Sequence, residues 1–137
     1  MSTESTTPEA AAENDVQSAM QKLIDELNEK RAHNMMGGGE EKIAKQHERG
    51  KLTARERLTL LLDDGSWVEM GLHSRPHFSQ RSMEGVDAPA DGVVTGYGKV
   101  DGRPVCVAAY DFTVLAGSMG YSGEVKLARL RAMALEF

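Results

Sequence analysis

Apolar positions follow helical spacing at the two ends of the chain and strand spacing between them. From Asp15 to His33, apolar residues recur every three or four positions, which predicts an amphipathic helix whose apolar face packs against another surface. The sequence Asn-Met-Met-Gly-Gly-Gly at 34–39 is typical of a helix end. The apolar face of this predicted helix consists of Val16, Met20, Leu23, Ile24 and Leu27.

Two shorter helices are predicted next, over 40–50 and from Thr53 onwards. Thr53 and Glu56 have the spacing of a capping box, in which each side chain accepts a hydrogen bond from the other residue's backbone amide. Leu58, Leu61 and Leu62 are expected to form the buried face of the third helix, and Asp-Asp-Gly at 63–65 ends it.

A short strand at Trp67–Met70 and a long connection at 73–90 precede the clearest strand pattern. Loops of that length inside a domain are usually functional or mobile. Beyond the loop, two apolar runs flank Asp101-Gly102, a pair that suits a two-residue hairpin turn. The residues expected to be buried in the hairpin are Val93, Val94, Val105, Val107 and Ala109.

The second strand leads into a glycine-rich turn, Ala116-Gly117-Ser118-Met119-Gly120, and then into a helix. Small residues at such a junction let a ligand approach the backbone, and free amides at a helix start favour negative charge. The turn is therefore a candidate site for an anion or an enolate, although a tight turn required only by packing has the same sequence pattern. The final helical pattern, 125–137, carries no stop signal, which predicts that the chain is a fragment of a larger domain.

Composition narrows the classes of function. The net charge is −5, from 16 basic and 21 acidic residues, and only 5% of residues are aromatic, which argues against nucleic-acid binding. No signal peptide or bilayer-length apolar run is present, so we expect a cytoplasmic protein without a membrane segment. The single cysteine, Cys106, is expected to be a small buried apolar residue, and residues 1–14 a disordered tail.

Three further groups of polar residues can each be explained either by a functional role or by a structural one. His73 and His77 are four apart, but Pro76 and the lack of a third ligand favour solvated loop histidines over a metal site. Asp111 and Glu124 flank the glycine-rich turn as candidate bases, or as a turn acceptor and a helix-start anion. A basic cluster could meet phosphate groups or form ion pairs along helix faces. Its members are Lys42, Lys45, Arg49, Lys51, Arg55 and Arg57.

Two segments together resemble a known family. GKLTARERLTLLLDDGSWVE at 50–69, followed by DGVVTGYG at 91–98 and DFTVLAGSMG at 111–120, is similar to the carboxyltransferase (β) subunits of biotin-dependent acyl-CoA carboxylases, such as propionyl-CoA carboxylase, and to related decarboxylases and transcarboxylase. The resemblance covers residues 37–137. It implies an α/β fold of the crotonase-like class, built of ββα units, here incomplete and preceded by N-terminal helices.

The resemblance also implies a reaction, a cofactor and partners. A carboxyl group would pass from carboxybiotin to the α-carbon of an acyl-CoA, and backbone amides would stabilise the enolate. Biotin would arrive on a biotin carboxylase or biotin carrier subunit and not on this chain, and the full-length subunit would form homo-oligomers. Two alternative functions remain under the same resemblance. The chain could belong to a decarboxylase subunit, or it could be a non-catalytic interaction arm of a carboxylase complex.

Residues 116–120 align with the family loop that is usually Phe-Gly-Gly-Ser-(Leu/Met)-Gly, which the resemblance places where the CoA thioester arm and the neighbouring subunit pass. We therefore expect Ala116, Gly117, Ser118, Met119 and Gly120 to contact substrate, and we assign no catalytic or metal-binding residue within this chain. Ala116 replaces the first glycine of the loop, a harmless change at negative φ and a strained one at positive φ. A second family motif, Asp-Ser-(Gly/Ala)-Gly-Ala-Arg, is expected shortly after Phe137, so the activity of residues 1–137 alone is expected to be absent.

Overall fold

The computed structural model describes the backbone of residues 8–136 and the side chains of residues 15–136. Four helices, α1 (Pro8–Met35), α2 (Glu40–Glu48), α3 (Ala54–Leu61) and α4 (Tyr121–Glu136), accompany three strands, β1 (Val68–Met70), β2 (Val93–Val100) and β3 (Arg103–Tyr110). The elements follow the predicted order. The helix α1 begins seven residues before the predicted start, so residues 8–14 of the expected tail are helical, while residues 1–7 and Phe137 lie outside the described part.

The strands form one antiparallel sheet in the order β1-β2-β3. The β2–β3 register runs from Val93 opposite Tyr110 to Val100 opposite Arg103. Asp101 and Gly102 close this hairpin with φ values of 50° and 77°, as the two central residues of a type I′ turn require. The prediction of a hairpin with its turn at this pair is confirmed.

Helices cover both faces of the sheet, and the alternation along β2 explains how. Val94 packs with Leu58 of α3 and with Leu62, which directly follows α3, on one face. Val93 points to the other face, where a Cβ on Gly123 of α4 would lie 3.1 Å from its Cγ1 atom. Adjacent strand residues point to opposite faces, so the fully buried Val93–Val94 pair joins the two halves of the core.

The α3 capping box is confirmed, because Glu56 N donates to Thr53 Oγ1 and Thr53 N donates to Glu56 Oε2. Its predicted buried face is wrong at one position: Leu61 is 51% exposed, whereas Leu58 and Leu62 are buried. The prediction treated Leu62 as part of the helix. Leu62 instead lies just beyond it in extended conformation, so helical spacing does not relate its side chain to that of Leu61.

The apolar face of α1 has no partner within the described residues. All five side chains expected to pack there are exposed, and they are Val16, Met20, Leu23, Ile24 and Leu27. The expectation for Cys106 also needs correction, because its side chain is half-buried and not fully buried. The long connection is confirmed as irregular between Gly71 and Ala88, apart from a 3₁₀ turn at Arg81–Met83.

No helix within residues 8–136 is both long and apolar enough to cross a membrane.

Candidate functional site at the end of the hairpin

The chain leaves β3 through a hydrogen-bonded turn centred on Asp111. Asp111 N donates to Gly92 O at 3.0 Å, and the buried carboxylate accepts from Thr113 N at 2.9 Å and from Thr113 Oγ1 at 2.6 Å. Of the two roles considered for Asp111, this geometry is that of the turn acceptor.

The three-glycine segment between α1 and α2 holds this turn from outside. Gly38 N donates to Thr113 Oγ1 at 2.9 Å, and a Cβ on Gly38 would lie 1.9 Å from the Thr113 carbonyl oxygen. No other residue type allows this backbone approach. The N-terminal helices are thereby fixed to the end of the hairpin.

Left-handed backbone occurs at three successive residues where the chain enters the glycine-rich turn. The φ values are 46° for Leu115, 53° for Ala116 and 78° for Gly117. The strained alternative for Ala116 is therefore the one observed, since only glycine adopts this region without cost. Ser118 lies on the surface, but its carbonyl oxygen approaches Gly92 closely. A Cβ on Gly92 would lie 2.2 Å from that oxygen.

The start of α4 is not an open anion site, contrary to expectation. Gly123 N donates to Asp91 Oδ2 at 2.7 Å, and Tyr121 N donates to Gln80 Oε1 at 3.2 Å. Asp91 is only 2% exposed, and its carboxylate supplies the negative charge that the positive end of the helix dipole favours. A second anion at the same amides would meet this negative charge.

Lys126 of α4 is a half-buried cation beside the start of β2. Its Nζ donates to Val93 O at 2.5 Å, to Ala90 O at 2.7 Å and to Gly71 O at 3.3 Å, which joins α4 to the long connection and to the start of β2. Burial lowers the pKa of Lys126 to about 8, against the opposing attraction of Glu69 and Asp91. Lys126 was not among the predicted site residues. The signal that could have identified it is a charged residue on the same face of α4 as the buried residues Gly123 and Leu130.

Four members of the basic cluster fall into two groups. Lys45 pairs with Glu41 at 2.5 Å, and Arg55 forms a two-bond ion pair with Glu69 at 2.5 and 2.9 Å. Lys51 and Arg57 instead line a cleft of about 480 Å³ between the start of α3 and the residues that end β3. The helix-pairing interpretation therefore holds for part of the cluster only.

The two loop histidines have ordinary partners. His73 Nδ1 lies 3.2 Å from Asn34 Nδ2, and His77 Nδ1 lies 2.7 Å from Ser79 Oγ. No group of three potential metal-ligating side chains occurs in the part of the chain that the structure describes.

Comparisons with known proteins show which family this chain resembles. A family model described as the carboxyl transferase domain matches residues 45–136. The carboxyltransferase subunit of propionyl-CoA carboxylase from Haloferax mediterranei is 46% identical over 117 residues, which is 85% of this chain and 23% of that protein. The methylmalonyl-CoA decarboxylase subunit alpha from Veillonella parvula is 43% identical with the same coverage.

Solved structures agree with the sequence comparison. The transcarboxylase 12S subunit, solved as a hexamer with methylmalonyl-coenzyme A and methylmalonic acid bound, superimposes with a TM-score of 0.80 at 43% identity over 85% of this chain and 23% of that one.

The fold is therefore a partial α/β domain of the crotonase-like carboxyltransferase class, represented by one ββα unit (β2, β3 and α4) behind N-terminal helices. The chain belongs to the carboxyl transferase domain family. It spans 23% of the length of the relatives named above.

Proposed function

We propose that this chain is the first part of the carboxyltransferase subunit of an acyl-CoA carboxylase, with residues 15–137 belonging to its N-terminal domain. The observation that supports this most strongly is the match to the 12S subunit, whose structure holds methylmalonyl-coenzyme A. The region matched by the family model, residues 45–136, includes the hairpin, the glycine-rich turn and α4.

The proposed reaction moves one carboxyl group. Loss of a proton from the α-carbon of the acyl-CoA would give an enolate, and that carbon would accept the carboxyl group. Carboxybiotin would supply this group and would be left as uncarboxylated biotin, with a proton on the nitrogen in place of the carboxyl group. Biotin would be carried by a partner subunit, and the subunits would assemble as homo-oligomers.

Within this chain, we assign substrate contact to the backbone of Ala116–Gly120. Ala116 and Gly117 carry at most a methyl group and Ala116 is exposed, so an extended thioester arm would have close access to the main chain there. Two amides at the start of α4, those of Tyr121 and Gly123, already donate to Gln80 and Asp91, so we assign the donors that stabilise the enolate to other parts of the subunit.

The test is a carboxylation assay on the whole protein that carries this chain. Combined with its biotin carboxylase and biotin carrier partner, it should convert propionyl-CoA to a carboxylated product in the presence of ATP and bicarbonate. Propionyl-CoA binding without any transfer, in the presence of an active partner, would contradict the proposed reaction.

A decarboxylase subunit is the second candidate, because similarity to the Veillonella decarboxylase subunit is within a few per cent of that to the carboxylase. It predicts transfer in the opposite direction, from methylmalonyl-CoA to a biotin carrier, with no requirement for ATP. A third outcome, partner binding with no affinity for acyl-CoA, would favour a non-catalytic arm.

A further inference from the structure

A second left-handed segment lies against the glycine-rich turn and comes from an earlier part of the chain. Ala90, Asp91 and Gly92 have φ values of 53°, 49° and 75°, and all three residues are buried. Left-handed backbone costs free energy for the two residues that carry a Cβ. Such strain persists only where the surrounding structure fixes the backbone, and it is common at functional sites.

The contacts that fix this segment come from α4 and from the end of the hairpin. Lys126 Nζ donates to Ala90 O at 2.7 Å and to Val93 O at 2.5 Å, one on each side of the two central residues. Asp111 N donates to Gly92 O at 3.0 Å. The segment is therefore held at three of its carbonyl groups and cannot move independently of the sheet and α4.

The segment supports the second half of the turn, with no space for an added side-chain carbon between them. A Cβ on Gly92 would lie 2.2 Å from Ser118 O, and a Cβ on Gly120 would lie 2.5 Å from Asp91 Oδ1. One contact is thus between two main chains, and the other is between a carboxylate and a glycine. Because Ser118 is exposed, the turn is open to a ligand on the side away from this support.

We propose that Asp91 and Gly92 are positioning residues for carboxyl transfer. They set the place of the main chain at Ser118–Gly120, and thereby the place of the thioester arm that lies along it. Neither residue touches the substrate. This inference rests on the proposed function, which assigns substrate contact to the turn.

Positioning matters here because the turn and the enolate donors belong to different parts of the subunit. A shift of the turn moves the thioester relative to those donors without removing any contact of the substrate with the turn. A displacement of about 1 Å at a reacting group can slow a reaction by about a hundredfold. The expected defect is therefore in the rate of transfer to bound substrate and not in affinity.

The first test compares two glycines of the same backbone conformation. Gly92 and Gly102 have φ values of 75° and 77°, but a Cβ on Gly102 would meet nothing within 4 Å. Gly92→Ala and Gly102→Ala therefore introduce the same backbone strain, and only Gly92→Ala pushes Ser118 away.

The measurement is the single-turnover rate of carboxyl transfer from a carboxylated biotin carrier to propionyl-CoA, on the whole protein and below the unfolding temperature of each variant. Gly92→Ala should lower this rate by about tenfold or more and change the Kd for propionyl-CoA by less than about threefold. Gly102→Ala should keep the rate within about twofold of the unsubstituted protein.

Substitutions of Asp91 keep the test decisive if Gly92→Ala does not fold. Asp91→Asn retains the size of the side chain, its tolerance of positive φ and an oxygen that can accept from Gly123 N, whereas Asp91→Ala retains none of these. We expect Asp91→Ala to slow transfer by about tenfold and Asp91→Asn by less than about threefold.

A further variant separates positioning from loss of stability. Val94 is 1% exposed and packs towards α3, on the face of the sheet away from α4. Val94→Ala should lower the unfolding temperature, as Asp91→Ala does, because it leaves a cavity in the core. Its transfer rate, measured where both variants are fully folded, should stay within about twofold of that of the unsubstituted protein.

Three results would overturn the inference and leave the proposed function intact. One is a normal transfer rate in folded Gly92→Ala or Asp91→Ala, and another is equal slowing by Gly102→Ala or Val94→Ala. The third is weaker propionyl-CoA binding with an unchanged rate for the bound substrate, which would limit the segment to a role in affinity. Absence of transfer by the unsubstituted protein would instead remove the proposed function, and this inference with it.

Discussion

Ala116 carries backbone strain at the position where this turn differs from the loop it resembles. Its φ of 53° lies in the left-handed region, which costs a residue with a Cβ about 1–2 kcal/mol. The sequence showed the substitution, but the sign of φ depends on tertiary packing around the turn, where the preceding Val114 is buried.

Replacing Ala116 by glycine should stabilise the protein. Relief of strain exceeds the extra backbone entropy of glycine in the unfolded chain, so Ala116→Gly should raise the free energy of unfolding by about 0.5–1 kcal/mol. Urea denaturation of the whole protein measures this. Ala132→Gly, within regular helix α4, is the matched control and should lower stability by about 1 kcal/mol. Destabilisation by both substitutions would contradict the strain at Ala116.

Lys126 should make stability depend on alkaline pH. Its pKa is about 8 in the folded protein and has an ordinary value of 10.5, so between these values the unfolded chain holds a proton that the folded chain has lost. Stability rises with pH wherever the unfolded state binds more protons, so this contribution increases from about pH 8 to pH 10.5, by at most about 3 kcal/mol.

The measurement compares unfolding free energies of the unsubstituted protein and Lys126→Met from pH 7 to pH 10.5. The free energy of unfolding of the unsubstituted protein should rise relative to that of Lys126→Met as the pH rises, because methionine does not titrate. A difference that stays constant, or falls with pH, would show that burial does not lower the pKa of Lys126.

At the scale of elements, local signals were sufficient for the hairpin and for α3. Thr53 and Glu56, and Asp101 with Gly102, act on residues within four positions of themselves, so their geometry can be read from the sequence. The capping of α4 could not be predicted, because Asp91 reaches Gly123 from 32 positions earlier in the chain.

Asp91 should contribute more to stability than an ordinary surface carboxylate. It is buried, it has a left-handed φ of 49° that Asp and Asn tolerate better than Ala, and it accepts from Gly123 N. Asp91→Ala should therefore cost about 2–3 kcal/mol, and Asp91→Asn clearly less. Thermal unfolding of both variants tests this; an Ala variant as stable as the unsubstituted protein would show that Asp91 does not cap α4.

At the scale of the whole molecule, the described residues leave large apolar surfaces uncovered. The α1 face is exposed, and a second surface on the α4 side of the hairpin includes Tyr97, Cys106 and Met133. The sequence predicted an apolar face on α1 from its spacing alone. It could not show what covers that face, because such contacts lie outside any local pattern.

A polypeptide of residues 1–137 alone should therefore be poorly packed. Exposed contiguous apolar patches favour association, so we expect strong binding of a hydrophobic dye, concentration-dependent aggregation and a broad thermal transition. Calorimetry and light scattering measure these properties. A monomer with a sharp, cooperative transition would contradict this expectation.

The proposed function depends on transfer of a carboxyl group to an acyl-CoA, and a single-turnover reaction tests it most directly. The whole protein is mixed with propionyl-CoA and a biotin carrier that bears an isotopically labelled carboxyl group, in the absence of ATP. We predict that the label appears on the α-carbon of the acyl-CoA and leaves the carrier at the same rate. Retention of the label on the carrier, with propionyl-CoA bound and unchanged, would contradict it.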